Sequence, residues 1–131
     1  MLRVLVADSY KDAADSLSLL IKLWGYDCRV AYSGPDAVRI ASLYHPDVIL
    51  SDLVLNGLDG CSLARRLAGS ANLVALTGLG DRLHRQQAAE AGFLLLLLKP
   101  ASPGQMQALL RSFETCGHEE EFADCVHPVG S

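Results

Sequence analysis

Val48-Ile49-Leu50-Ser51-Asp52 runs into Leu53-Val54-Leu55-Asn56-Gly57-Leu58-Asp59-Gly60, and the reading of this stretch decides the fold. Three consecutive apolar residues, two of them β-branched, read as a strand buried on both faces, as in a parallel sheet. The strand ends on a carboxylate and enters a loop that holds two glycines. A charge at the C-terminal edge of a buried strand is costly unless something there uses it. Open α/β sheets bind ligands at that edge, where the strand order reverses. Asp52 is therefore the first candidate for chemistry.

The flanking chain repeats the pattern. Upstream, Leu2 to Ala7 reads as a buried strand ending in Asp8-Ser9, and Ser9-x-x-Asp12 reads as a capping box. The helix it opens presents Ala13, Leu17, Leu20, Ile21 and Trp24, with Gly25 as its C′ residue. Asp27 to Tyr32 alternates weakly, as an edge strand does. Ser33-Gly34-Pro35-Asp36 supplies a cap and an early proline for a helix that His45-Pro46 ends. Downstream, a helix from Asp59 or Gly60 buries Leu63, Ala64 and Leu67. Leu73 to Leu76 forms a strand ending in Thr77-Gly78. Asp81 to Ala91 is helical with a thin apolar face, so it is expected to be the most loosely packed helix. Phe93 to Leu98 is a strand ending in Lys99-Pro100. Ser102-Pro103-Gly104-Gln105 is a second capping box, and Met106, Leu109, Leu110 and Phe113 form the core face behind it. Five strand–helix alternations imply a parallel sheet with helices on both faces and right-handed crossovers. One domain over residues 1–116 and a polar, flexible tail over 117–131 follow from this pattern.

The chain has 131 residues, 50% of them hydrophobic and 20% charged, which describes a globular domain and not a disordered one. A net charge of -4 argues against a nucleic-acid surface, which needs a basic face. No apolar run approaches the roughly 18 residues of a membrane-spanning helix. Met1-Leu2-Arg3 leads straight into a strand pattern without a signal-peptide cleavage region, and no output domain is expected within the tail. The four cysteines, 28, 61, 116 and 125, form no CxxC, so reduced thiols in the cytoplasm are expected.

In such a sheet the C-terminal strand ends cluster along one edge, which brings Asp8, Asp52, Thr77 and Lys99 together. Two neighbouring carboxylates repel, and a hard divalent cation such as Mg²⁺ relieves that repulsion. A carboxylate can also act as a nucleophile toward phosphorus, in which case the amine, hydroxyl and metal neutralise the transferred group.

These motifs together resemble a response-regulator receiver domain over residues 2 to about 114. The resemblance is carried by Val4-Leu5-Val6-Ala7-Asp8, Pro46-Asp47-Val48-Ile49-Leu50-Ser51-Asp52, Gly57-Leu58-Asp59-Gly60, Ala75-Leu76-Thr77-Gly78 and Leu98-Lys99-Pro100. It implies a flavodoxin-like fold of strand order 2-1-3-4-5, with Asp52 taking a phosphoryl group from a histidine kinase or phosphotransfer protein. Thr77 and Lys99 would contact that group, while Asp8, Asp52 and the Val54 carbonyl would hold Mg²⁺. A cis Lys99-Pro100 bond is implied as well. The chain would then be a signalling phospho-acceptor and not an enzyme, acting on a further downstream protein.

Several departures qualify the resemblance. Ser9 stands where a second acidic residue is usual; it is read as a helix cap, and weaker Mg²⁺ binding, with Ser9 acting through water, is expected. Leu96 replaces an aromatic or histidine that swings inward on phosphorylation. Were Leu96 on an exposed edge, it would make the face of the fourth helix, fifth strand and fifth helix sticky and favour a homodimer there. Asn56 replaces a proline, with little consequence. Apolar Val54 and Leu79 predict a slowly hydrolysing acyl phosphate. A different class of function, a phosphorylation-independent interaction module, is favoured by Ser9 and Leu96. A flavin protein is disfavoured by the lack of a phosphate-cradling loop after the first strand. Cys116-x-His118 and Cys125-x-His127 offer zinc ligands, but at gaps unlike structural zinc sites.

Overall fold

The computed structural model describes residues 1–115 and 127–128. The elements run β1 (Arg3–Ala7), α1 (Lys11–Leu23), β2 (Asp27–Ala31), α2 (Gly34–Tyr44), β3 (Val48–Ser51), α3 (Gly60–Leu67), β4 (Asn72–Thr77), α4 (Arg82–Ala91), β5 (Leu95–Leu98), α5 (Pro103–Thr115) and β6 (His127–Pro128). The sheet order is β2-β1-β3-β4-β5-β6, so the flavodoxin-like 2-1-3-4-5 core is present. Its first five strands are parallel. β6 lies antiparallel beside Leu95 and Leu96, and nothing in the sequence pattern signals it.

Alternate strand residues feed two separate cores, which is why the strands read as unbroken apolar runs. Val4, Val6, Leu50, Val74, Leu95 and Leu97 pack with Ile21 of α1 and Met106, Leu109 and Leu110 of α5. Leu5, Ile49, Leu73 and Leu96 pack with Ala37 of α2, Leu63 of α3, and Ala88 and Ala91 of α4. Each fully buried Val, Leu, Ile or Met among them contributes about 1.5–3 kcal/mol. The thin face of α4 is real: Ala88 and Ala91 are its buried residues.

Caps fix where most helices start. Ser33 accepts from the Asp36 amide at 3.2 Å, and Asp59 from the Ser62 amide at 2.8 Å. Ser102 and Gln105 form the reciprocal box, at 3.1 and 3.2 Å. The first helix departs from expectation. Its N-cap is Tyr10 with no side-chain cap bond, and the Ser9 hydroxyl instead accepts from the Asn56 amide at 2.8 Å. Ser9 therefore ties the β1–α1 loop to the β3–α3 loop; an amide from a distant loop wins over the local one.

Leu96 falls on the buried branch of its two readings, not the exposed-edge one. It is only 2% exposed, because its face of β5 lies under the helical layer that holds Ala88 and Ala91. Exposure on and beside this strand falls to Leu94 and Leu98. The proposed zinc ligands Cys116, His118 and Cys125 lie outside the described residues. Among the described residues no helix is long and apolar enough to cross a membrane.

Candidate functional site

The register Ala7↔Ser51 places the residues that follow β1 and β3 side by side, and the Asp52 amide donates to the Ala7 carbonyl at 3.0 Å. Two carboxylates, Asp8 and Asp52, therefore leave the sheet at neighbouring points. The register Thr77↔Leu98 brings β5 up beside β4, and the Lys99 amide donates to the Thr77 carbonyl at 2.8 Å. The following Lys99-Pro100 bond is cis, as the resemblance implies.

From this anchor the lysine spans both carboxylates. Lys99 Nζ donates to Asp8 Oδ2 at 2.9 Å and to Asp52 Oδ2 at 3.0 Å. The second oxygen of each carboxylate meets a backbone amide: Asp8 Oδ1 accepts from Tyr10 at 2.9 Å, and Asp52 Oδ1 from Val54 at a longer 3.3 Å. Exposure is graded across the set. The Asp8 side chain is 9% exposed, Asp52 19% and Lys99 33%, so Asp52 is the more accessible of the two acids. Thr77 is buried, and its Oγ1 accepts from the Leu79 amide at 3.1 Å, which leaves its own proton for donation.

Burial alone would lower the pKa of the Lys99 ammonium, but its hydrogen bonds to Asp8 and Asp52 and their charges outweigh burial and hold it above the ordinary lysine value. The ammonium is thus charged at any physiological pH. Two carboxylates against one ammonium leave a formal charge of minus one, in an all-oxygen setting. That is the donor chemistry of a hard cation such as Mg²⁺. Asp8 and Asp52 fit that ion, and the loop carbonyl of Val54 is the third ligand expected from the sequence. The acidic set stops at two: among the described residues no group of three or more His, Cys, Asp or Glu could hold a metal. Ser9, the neighbour of Asp8, already uses its hydroxyl on Asn56.

The Val54 side chain is 64% exposed and that of Leu79 39%, so neither is folded into the core. Both line an open cavity of about 330 Å³ that Leu53, Cys61, Arg65 and His84 also border. Burial raises the pKa of the Cys61 thiol, chiefly by desolvation, so this cysteine is not a poised nucleophile.

Two features escape sequence reading. One is the Ser9–Asn56 tie. The other is Gly60, where a Cβ would lie 2.2 Å from the Asp52 carbonyl oxygen, so the first residue of α3 must be glycine for the backbone of Asp52 to sit where it does. The glycine pair around Leu58-Asp59 was the available signal.

Comparison with known proteins follows the same lines. The model of the family described as response regulator receiver domain matches residues 4–111. A curated relative, the "Probable transcriptional regulator ycf27" of Cyanophora paradoxa, is 30% identical over 112 residues, covering 84% of this chain and 47% of the relative. The chain thus spans about half the length of that relative. Among solved structures, a two-component response regulator from Clostridium difficile superposes with a TM-score of 0.85 over 91% of this chain and 100% of its own, at 19% identity, a likeness of fold alone. The signal receiver domain of a signal transduction histidine kinase from Syntrophus aciditrophicus gives a TM-score of 0.80 at 25% identity, over 91% of this chain and 96% of its own.

Proposed function

The chain belongs to the response regulator receiver domain family, and from that premise we propose that Asp52 accepts a phosphoryl group from the phosphohistidine of a histidine kinase or phosphotransfer protein. The observation that carries this reading is Lys99 bridging Asp8 and Asp52 at 2.9 and 3.0 Å. A carboxylate oxygen of Asp52 attacks phosphorus, a P–O bond forms, and the P–N bond to the donor imidazole breaks. The imidazole nitrogen keeps that electron pair and takes a proton from solvent. Lys99 neutralises the phosphoryl oxygens by exchanging its bond to Asp52 for one to the new group, and the Thr77 hydroxyl donates to another oxygen. Asp8 and Asp52, with the Val54 carbonyl, would hold Mg²⁺, which when bound supplies further charge neutralisation. With Ser9 in place of an acid, that binding is weak. The protein is then a phospho-acceptor that promotes its own transfer and slow dephosphorylation, in the cytoplasm, where Cys28 and Cys61 stay as the free thiols seen here. A downstream protein reads the phosphorylated form.

The test is incubation with phosphoramidate and Mg²⁺, followed by mass spectrometry that locates the adduct. A phosphoryl group on Asp52 that disappears in Asp52→Asn is the expected outcome. A wild-type chain that takes up no phosphoryl group would leave the second reading, a phosphorylation-independent interaction module. Buried Leu96 favours that alternative, since no aromatic ring is present at this position to change rotamer.

A further inference from the structure

The two edges of the sheet are not alike. Beyond β5 lies β6, and its proline cannot donate to a further strand. Beyond β2, among the described residues, there is nothing. We propose that the free edge of β2 pairs antiparallel with β2 of a second copy, across a twofold axis at Cys28, to form a continuous sheet through two molecules. This inference does not depend on phosphorylation.

The backbone shows which groups are free. The Asp27 amide donates inward to Leu2 at 3.2 Å, and the Ala31 carbonyl accepts inward from Asp8 at 3.0 Å. In a parallel ladder alternate residues turn both their amide and carbonyl to the same neighbour. Asp27, Arg29 and Ala31 therefore face β1, and Cys28 and Val30 turn their N–H and C=O outward, a ready template for another strand.

Charge then selects the partner and the register. Asp27 and Arg29 project from the same face of β2, one acidic and one basic. With the axis at Cys28, Asp27 stands opposite the partner's Arg29, and the pairing occurs twice. A shift of the axis by one residue places Arg29 opposite itself, or Asp27 opposite itself, and like charges directly opposite destabilise. An antiparallel copy of this strand thus complements itself in one register. The surroundings suit burial. Leu19 of α1 is 61% exposed and Leu43 of α2 74%, and each lines a groove with residues of β2, so apolar side chains border the edge on both faces of the sheet. Open grooves flank the strand on its α1 side, by Leu19 and Val30, and on its α2 side, by Arg39 and Leu43.

The test is sedimentation equilibrium of the full chain over a wide concentration range. The expected result is a monomer–dimer equilibrium. Val30→Pro removes only an outward N–H, so it should yield monomer with an unchanged circular dichroism spectrum. Arg29→Asp should weaken the dimer about tenfold, and adding Asp27→Arg to it should restore the wild-type constant. If Val30→Pro does not fold, the charge-swap pair decides. A chain that stays monomeric throughout overturns the proposal. So does a dimer indifferent to both Val30→Pro and the charge variants, which would place the contact on another face such as α4, β5 and α5.

Discussion

Strand β3 is flanked by two aspartates, one just before its first residue and one just after its last, and the two lead opposite lives. Asp47, at the N-terminal end, is fully committed to the backbone. Its carboxylate accepts from the Arg3 amide at 2.9 Å, its amide donates to the Arg3 carbonyl at 2.9 Å, and its carbonyl accepts from the Asn72 amide at 2.9 Å. Asp52, at the other end, is also tied to the sheet by its amide, which donates to the Ala7 carbonyl at 3.0 Å. Its carboxylate, however, accepts from one amide, at 3.3 Å, and otherwise faces a second carboxylate across a shared ammonium. One acid stitches three strands together. The other is held in a way that a new anion or cation can rearrange. The two acids differ in whether their partners are fixed main-chain groups or exchangeable charges.

The contrast breaks most sharply by substitution. Asp52→Asn should abolish phosphoryl uptake and leave the fold intact, whereas Asp47→Asn should leave uptake on Asp52 unchanged; mass spectrometry of both variants after phosphoramidate treatment is the check. Next in size, Lys99→Gln should slow uptake about 10²-fold or more, the scale of losing one preorganised charge-stabilising donor. The same lysine gives a pH signature. Its folded-state pKa lies above its ordinary value of 10.5, so its pairing stabilises the fold fully below that pH and is lost only as pH rises through the higher folded value. Urea melts of wild type and Lys99→Gln should differ by a constant amount from neutral pH upward and converge only under strong alkali. A difference that changes between pH 6 and 9 would contradict this assignment.

Smaller effects sharpen the picture. Ser9→Asp should tighten Mg²⁺ about tenfold in a calorimetric titration, because it adds a carboxylate beside Asp8; an unchanged affinity would remove Ser9 as the cause of weak binding. Phospho-Asp52 should persist well beyond seconds, and Val54→Asn should shorten its decay by a few fold, since a polar group there can hold water near the acyl phosphate. Smallest is the stability cost of Asp47→Asn, about 1 kcal/mol by chemical denaturation, since the amide oxygen can still accept from Arg3 and only the charge is lost.

What could be read in advance followed from local chemistry. Ser33 caps its helix, and Ser102 and Gln105 form their box, because each bond closes within three residues. The strand ends that bring Asp8, Asp52 and Lys99 together follow from alternation and crossover handedness. Ser9 was misread because its partner, Asn56, is 47 residues away, and no local pattern weighs a distant amide against a nearby one. Whether Leu96 lies buried or on an exposed edge was open for a related reason. Alternation separates it from Leu95 and Leu97, but which layer of helices covers its side is a tertiary fact. Sixth-strand pairing at β5 is equally non-local.

Gly60 gives the site one last property. Because the carbonyl of Asp52 occupies the space a methyl group would need there, 2.2 Å away, the reactive acid and the start of α3 are geared at the level of the main chain. Were Asp52 to take up a phosphoryl group as proposed, a shift of its main chain would press on the first residue of α3, and a push on that helix would return to the acid. The smallest residue in the chain would thus be the pin through which chemistry at one oxygen reaches a helix.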